Sequence, residues 1–230
     1  MRRLIEIPIF INKMPKFVTI ITCLFAVVSP LQGTIIEWSS CVGDEFFESD
    51  GVTLLDETFQ FELGGFQSGF TPTLANLSLW ESNWVSFDLA NFANNSWNPT
   101  PGISSYTESG SLVAAGPGLV SSPETGGTFS IGQQAYLWTY NTKAISNTTE
   151  WALLVNPTWT YPAASDPSGP PAVQFWSLGD AGNTAVAGEV TPDLNNFSTL
   201  QTQAVPEPGS ALMILIAGVV FRFRRKMGHR

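Results

Sequence analysis

Four acidic residues, Asp44, Glu45, Glu48 and Asp50, form the densest group of oxygen donors in the chain. Such a group suits Ca²⁺, but "DEFFESDG" lacks the alternate-position oxygens and the closing glutamate of an EF-hand loop. A solvated acidic surface is therefore the expected reading. Ca²⁺ is the one ion the cluster could take, and no other cofactor or metal is expected. Asp180 and Asn183 in "GDAGNTA" make a thinner group of the same kind. The only histidine is His229, close to the C-terminus. Without it, the rest of the chain offers no Ser-His-Asp or Cys-His relay and no His-ligated metal. No G-x-S-x-G elbow, phosphate loop or dinucleotide turn occurs either. Glycoside hydrolysis needs only two carboxyl groups at the right separation. It is the surviving enzymatic option, although sequence alone selects no pair and no catalytic residue is assigned.

All eight tryptophans, at 38, 80, 84, 97, 138, 151, 159 and 176, lie in the middle of the chain. Aromatic faces can stack on sugar rings, but in short strands they more often fill a core. Trp97 and Trp159 sit among Asn, Pro and Thr in turn-like contexts, and are the candidates for exposed glycan stacking.

Charge is partitioned along the chain. Between Thr34 and Ala204, Lys143 is the only cation against seventeen carboxylates, a formal charge of −16, and there is no arginine. Nucleic acid is excluded as an expected partner, because phosphate contacts require Lys and Arg to displace counterions. Phosphorylated or carboxylated ligands lose the Arg fork that would grip them. Cations and neutral glycans are compatible with such a field.

The remaining cations mark the two ends. Lys13 and Lys16 precede the apolar stretch Phe17 to Val28, followed by Ser29, Pro30 and Gly33, as in an export signal. Residues 1–33 are assigned to it, with Met14 as an alternative start. Cys23 would leave with the signal, so Cys41 is expected to be an unpaired, buried thiol.

At the other end stand Val205, Pro206, Glu207 and Pro208, then an apolar run. The run comprises Ala211, Leu212, Met213, Ile214, Leu215, Ile216, Ala217, Gly218, Val219, Val220 and Phe221. Arg222, Arg224, Arg225 and Lys226 follow. The basic cluster would stay cytoplasmic by the positive-inside rule. As a helix the run reaches about 16 Å, short of a hydrocarbon core of roughly 30 Å. Gly209, Ser210 and Phe223 would have to join it for the segment to span.

This order of proline signature, short hydrophobic helix and terminal arginines, "VPEPGSALMILIAGVVFRFRRK", resembles a PEP-CTERM sorting domain over about the last 26 residues. The resemblance implies that an exosortase-type membrane enzyme recognises the tail in a Gram-negative bacterium. It implies transient retention in the inner membrane, then removal of the tail and delivery to the cell surface or a biofilm's exopolysaccharide matrix. The middle region is also similar to uncharacterised secreted domains that carry this tail, at "WSSCVGDEFFESDG", "AYLWTYNTK" and "EWALLVN".

The elements between the two ends read mainly as β. Segments such as "VTLLDETFQFELGGF", "YTESGSLVAAG", "AYLWTYN", "EWALLVN", "PTWTYPA" and "AVQFWSL" alternate or are rich in β-formers, separated by turn clusters such as "NNSWNPTPG". In "TFQFEL", Phe59, Phe61 and Leu63 share one face, and Gln60 and Glu62 share the other. Short strands at this spacing predict an antiparallel β-sandwich or jelly-roll over residues 34–188. One exception is "NLSLWESNWVSFDLANF", where Leu77, Trp80, Trp84 and Phe87 fit one helical face. Residues 189–204 are polar and read as a linker ahead of the tail at 205–230. Together these features predict an exported, non-catalytic surface or matrix protein with structural or adhesive contacts. A carbohydrate-binding module is the alternative, and a glycan-acting hydrolase is less favoured.

Overall fold

A computed structural model describes residues 33–166, 169–193 and 197–206. The export signal, except Gly33, and the tail from Glu207 onward lie outside them. Along the chain run β1 (Thr34–Ser39), β2 (Glu45–Phe47), β3 (Gln60–Phe66), β4 (Trp84–Asn91) and β5 (Trp97–Asn98). They are followed by β6 (Ser105–Gly116), β7 (Leu119–Ser121), β8 (Thr128–Ser130), β9 (Gln134–Tyr140) and β10 (Glu150–Thr160). The chain continues through β11 (Val173–Ser177), β12 (Thr184–Ala187), β13 (Glu189–Thr191), β14 (Thr199–Gln201) and β15 (Gln203–Ala204).

The architecture is mainly β, with multiple and mostly antiparallel sheets. One sheet has the order β11-β1-β6-β7-β8, with β5 also on β6. A second has the order β12-β10-β9-β3-β4, with β15 also on β10. The third is β13-β14-β2. Two pairings are parallel, β1 with β11 and β14 with β2. Each joins strands far apart in sequence.

Alternation along the strands distributes their side chains between two cores. Phe61 and Leu63 of β3, Ala135 and Leu137 of β9, and Ala152 and Leu154 of β10 enter one cluster. There they meet Ile36, Trp38, Tyr106, Leu112, Val120 and Phe129 from the first sheet. The intervening residues Trp138, Tyr140, Trp151 and Leu153 enter a second cluster with Phe66, Trp80 and Val205. Because successive side chains of a strand point to opposite faces, β9 and β10 are buried on both sides. That explains why "AYLWTY" and "EWALLV" read as nearly continuous apolar runs rather than as polar-apolar alternation.

Aromatic contacts dominate both clusters. Phe61 stacks on Tyr106 at 4.6 Å, Trp80 on Trp151 at 5.6 Å, and Trp138 meets Trp151 edge-on at 4.9 Å. Such pairs add about 0.5–1.5 kcal/mol each beyond the area they bury. Gly64 lets Trp84 lie close to the backbone of β3, since a Cβ there would run into the indole and the Val85 carbonyl. The pairing of β3 with β4 shifts register at this point.

The expected helix is only partly formed. A 3₁₀ turn, Leu74–Leu79, leads into one α-helical turn, Trp80–Asn83, and the chain is extended from Trp84. Ser82 Oγ and Asn83 Nδ2 both donate to the Leu79 carbonyl, at 3.0 and 2.8 Å, in competition with the helical ladder. Beyond them Trp84 pairs with Phe66, so a non-local ladder overrides the helical spacing. Leu77, Trp80 and Trp84 belong to the second cluster, whereas Phe87 points into the first.

Residues 189–204 are not a linker. Three strands lie in this stretch, β14 pairing with β2 and β15 with β10. Leu200 is fully buried, and Val205, 3% exposed, donates its N–H to the Thr149 carbonyl at 2.9 Å. The segment is polar because its strands are short and mostly expose one side, yet its backbone closes the fold.

Two buried hydroxyls, Thr139 Oγ1 and Tyr161 OH, are left without a partner among the described residues. Tyr161 OH lies inside the first cluster, where the ring stacks on Phe129 at 4.0 Å. Burial pushes its phenol well above the ordinary value. An unsatisfied buried hydroxyl costs about 1–3 kcal/mol. Tyr161→Phe is therefore expected to raise stability by about 1 kcal/mol, read as a higher midpoint in urea at unchanged slope.

Candidate functional site

The acidic cluster does not converge. Asp44 is buried, and its carboxylate accepts from the N–H groups of Cys41 and Ser198 at 2.9 and 2.8 Å. Its backbone carbonyl accepts from Ser104 Oγ. Asp50 instead ties its own turn, accepting from Val52, Thr53 and the Thr53 hydroxyl. Glu45 is exposed at the start of β2. Among the described residues, no three His, Cys, Asp or Glu side chains are grouped to hold a metal ion. Asp180 and Asn183 are likewise occupied. Asp180 accepts from Trp159 Nε1 and the Ser177 N–H, each at 3.0 Å, while Asn183 donates to the Ser177 and Leu178 carbonyls.

Trp97 and Trp159 are not exposed stacking platforms. Each is 2% exposed. Trp97 donates Nε1 to the Asp56 carbonyl at 3.0 Å and packs against Phe61. Trp159 lies parallel to Trp176 at 5.9 Å. Turn-forming neighbours govern the local backbone, but burial follows from what packs over it. Cys41 departs in the opposite sense, being exposed rather than buried.

Lys143, the sole cation between Thr34 and Ala204, sits 2.5 Å from Glu62 Oε2. The same oxygen accepts from Tyr140 OH at 2.7 Å, and Lys143 Nζ lies 5.2 Å from the centre of the Trp138 ring. Burial and the adjacent Glu62 carboxylate raise the Tyr140 phenol far above its ordinary value, leaving it a fixed donor. Sequence alternation had placed Glu62 opposite Phe61 and Leu63, as found. That opposite face is covered rather than wet, and Glu62 is 4% exposed.

Asp88, by contrast, is a half-buried carboxyl. It accepts from Trp38 Nε1 at 2.8 Å and from the Leu89 N–H. Burial raises its pKa, aided by Glu108 and Glu124 and opposed by these hydrogen bonds. Asp44 is also raised by burial, against its two backbone donors. Exposed Asp50 is lowered by its turn hydrogen bonds.

These shifts set a pH dependence. Where a carboxyl has a higher pKa folded than unfolded, the native state holds more protons between the two values, so stability falls as pH rises through that window. For Asp44 and Asp88 the window opens at the ordinary value of 3.8 and extends upward. Asp50 acts oppositely below 3.8. Relief of repulsion among seventeen acids adds to the first effect. The Tm is thus expected to be higher near about pH 5 than at neutral pH at fixed ionic strength. A lower Tm near pH 5 would contradict this sign.

A different place gathers unspent groups. Residues Phe66–Phe70, at the end of β3 and into the turn after it, face Ser130, Gln133, Gln134 and Tyr136, from the end of β8 through the start of β9. Between them lies an open groove of about 280 Å³. Phe70 stacks on Phe66 at 5.2 Å, and Phe66 meets Tyr136 edge-on at 5.3 Å. Gln133 is clamped, donating to the Phe66 carbonyl at 3.0 Å and accepting from the Ser130 N–H at 2.9 Å. Gln134 Nε2 lies within 2.8 to 2.9 Å of the carbonyls of Ala135, Asn156 and Trp159. No Asp, Glu, Lys, Arg or His side chain lines the groove. Sequence reasoning missed it. The available signal was a pair of glutamine-bearing turns next to aromatics, "GFQSGF" and "GQQAY", which become neighbours only when β3 pairs with β9.

Of the tail's signature, Val205 and Pro206 are described, Val205 buried and Pro206 exposed. Glu207, Pro208, the apolar run and the basic cluster lie outside the described residues, within which no helix is long and apolar enough to cross a membrane. Comparisons of the chain with protein-family models, with curated proteins and with solved structures find no match.

Proposed function

We propose that this chain is an exported, non-catalytic cell-surface or exopolysaccharide-matrix protein. In this reading its two larger sheets form a β-sandwich that makes structural or adhesive contacts. Its C-terminal tail acts as a PEP-CTERM-type sorting signal for an exosortase-type enzyme at the inner membrane.

The observation that carries this reading is the position of the last described strand relative to the tail. Backbone pairing among the described residues runs through Ala204 and Val205, immediately before Pro206. Proline has no N–H to continue a ladder. The Pro-Glu-Pro signature therefore begins just after the last described strand, and removal of everything after Pro206 leaves every described strand intact. Engagement of Glu62, Asp44 and Asp180 as hydrogen-bond acceptors supports a structural use of these acids. Phe175, 70% exposed on the outermost strand β11, supports an adhesive one. A glycan-acting hydrolase would fall on Asp88 with Glu108 or Glu124, and is the weaker reading because Asp88 is already tied to Trp38.

Intact-mass analysis of protein recovered from membrane, surface and matrix fractions tests the assignment. Surface material ending between Pro206 and Gly209 is the expected result. Material that keeps Arg230 in every fraction would make the tail a plain anchor and overturn the sorting reading.

A further inference from the structure

We propose that the groove between the turn at Gln67–Phe70 and the strand start at Gln133–Tyr136 is a binding site for a short segment of a neutral polysaccharide. This goes beyond the export reading and does not depend on how the tail is processed.

Sugar rings present apolar C–H faces and a rim of hydroxyls. A site for them needs an aromatic surface beside neutral donors and acceptors, held in place before the ligand arrives. The groove supplies the aromatic surface through Phe70 and Tyr136, both partly exposed and both fixed against buried Phe66. Neutral polar groups lie beside them. The hydroxyls of Ser68, Ser130 and Tyr136 and the side-chain carbonyl of Gln134 make no hydrogen bond among the described residues, whereas the Gln134 amide is fully engaged. Gln134 is thereby locked with its other end unspent. Gly69, at φ +85°, takes the left-handed backbone conformation that the turn requires.

Charge selects among glycans. The groove has no cation to hold uronate, sulfate or phosphate groups, and it sits on a domain with sixteen more negative than positive charges, which repels anionic chains. At about 280 Å³ the space is just below the range of small-molecule sites, which run from about 300 to 1,000 Å³. One or two sugar residues would be held, with the chain continuing through the open ends.

The test is calorimetric titration of the full chain in detergent with neutral cello-, xylo-, manno- and galacto-oligosaccharides, and with oligogalacturonate as an anionic counterpart. At least one neutral oligosaccharide is expected to bind in the range of about millimolar or tighter. Phe70→Ala should weaken it about tenfold. Gln67→Ala and Ser68→Ala alter exposed side chains, so a several-fold loss there at unchanged Tm separates lost binding from lost folding. The proposal is overturned if no neutral oligosaccharide binds, if only the anionic one does, or if binding survives all three substitutions. A tail that proves to be a plain anchor would change none of these outcomes.

Discussion

A chain ending after Gly188 is expected to be unfolded under conditions where a chain ending after Pro206 is folded. The 18 residues between these ends include Leu200 and Val205, which are fully or nearly fully buried. Loss of each buried side chain costs about 1.5–3 kcal/mol in transfer free energy alone. Truncation also removes the strands that pair with β2 and with the start of β10. Thr202, whose hydroxyl donates to Glu150 at 2.5 Å, would go as well, as would the Ser198 N–H that helps hold the buried Asp44 carboxylate. The sum is of the same size as the entire stability of an ordinary domain, about 5–15 kcal/mol. Near-ultraviolet circular dichroism of the two chains decides the matter. Equal spectra and equal urea midpoints would return residues 189–204 to the status of a tether. The prediction also bears on sorting, because an enzyme cutting upstream of Val205 would have to unzip β15 first.

The second large effect is expected at Lys143. In Lys143→Met, Glu62 would keep only the Tyr140 phenol as a partner while buried among Trp138 and Tyr140. Breaking a wholly buried ion pair costs about 3–5 kcal/mol, chiefly because a charge is stranded. The Lys143 side chain keeps 24% of its surface exposed, so about 2–3 kcal/mol is the discounted expectation. For a domain of this length that corresponds to roughly a 4–12 °C fall in Tm. The double variant Glu62→Gln with Lys143→Met should recover most of the loss, since it removes the stranded charge and retains an acceptor for Tyr140. A single variant within about 0.5 kcal/mol of the parent would show that the pair behaves as an ordinary surface contact.

Both effects arise where local sequence and three-dimensional neighbourhood disagree. Strands β6, β9, β10 and β11 were legible because a period of two, or an unbroken apolar run rich in β-formers, is a property of a few adjacent residues. Glu62 was legible as lying opposite Phe61 and Leu63 for the same reason. Its burial was not, because it depends on Trp138, Tyr140 and Lys143, some 80 positions further along. Trp80 follows the same pattern. Its helical spacing with Leu77 is real for one turn, and the pairing of Trp84 with Phe66 then ends the helix.

The sequence by itself determined the character of this protein: mainly β, strongly acidic between Thr34 and Ala204, with a single lysine there and a tail that resembles a sorting signal. Composition, charge and period-two alternation are local quantities, so they survive without knowledge of the fold. The tertiary structure alone decided that Trp97 and Trp159 are core residues and that the polar stretch 189–204 closes the sheets. It also decided that Phe70, Gln134 and Tyr136 share a groove. Those outcomes rest on pairings across long sequence separations, β14 with β2 and β3 with β9, whose hydrogen bonds belong to the backbone and carry no residue-specific mark.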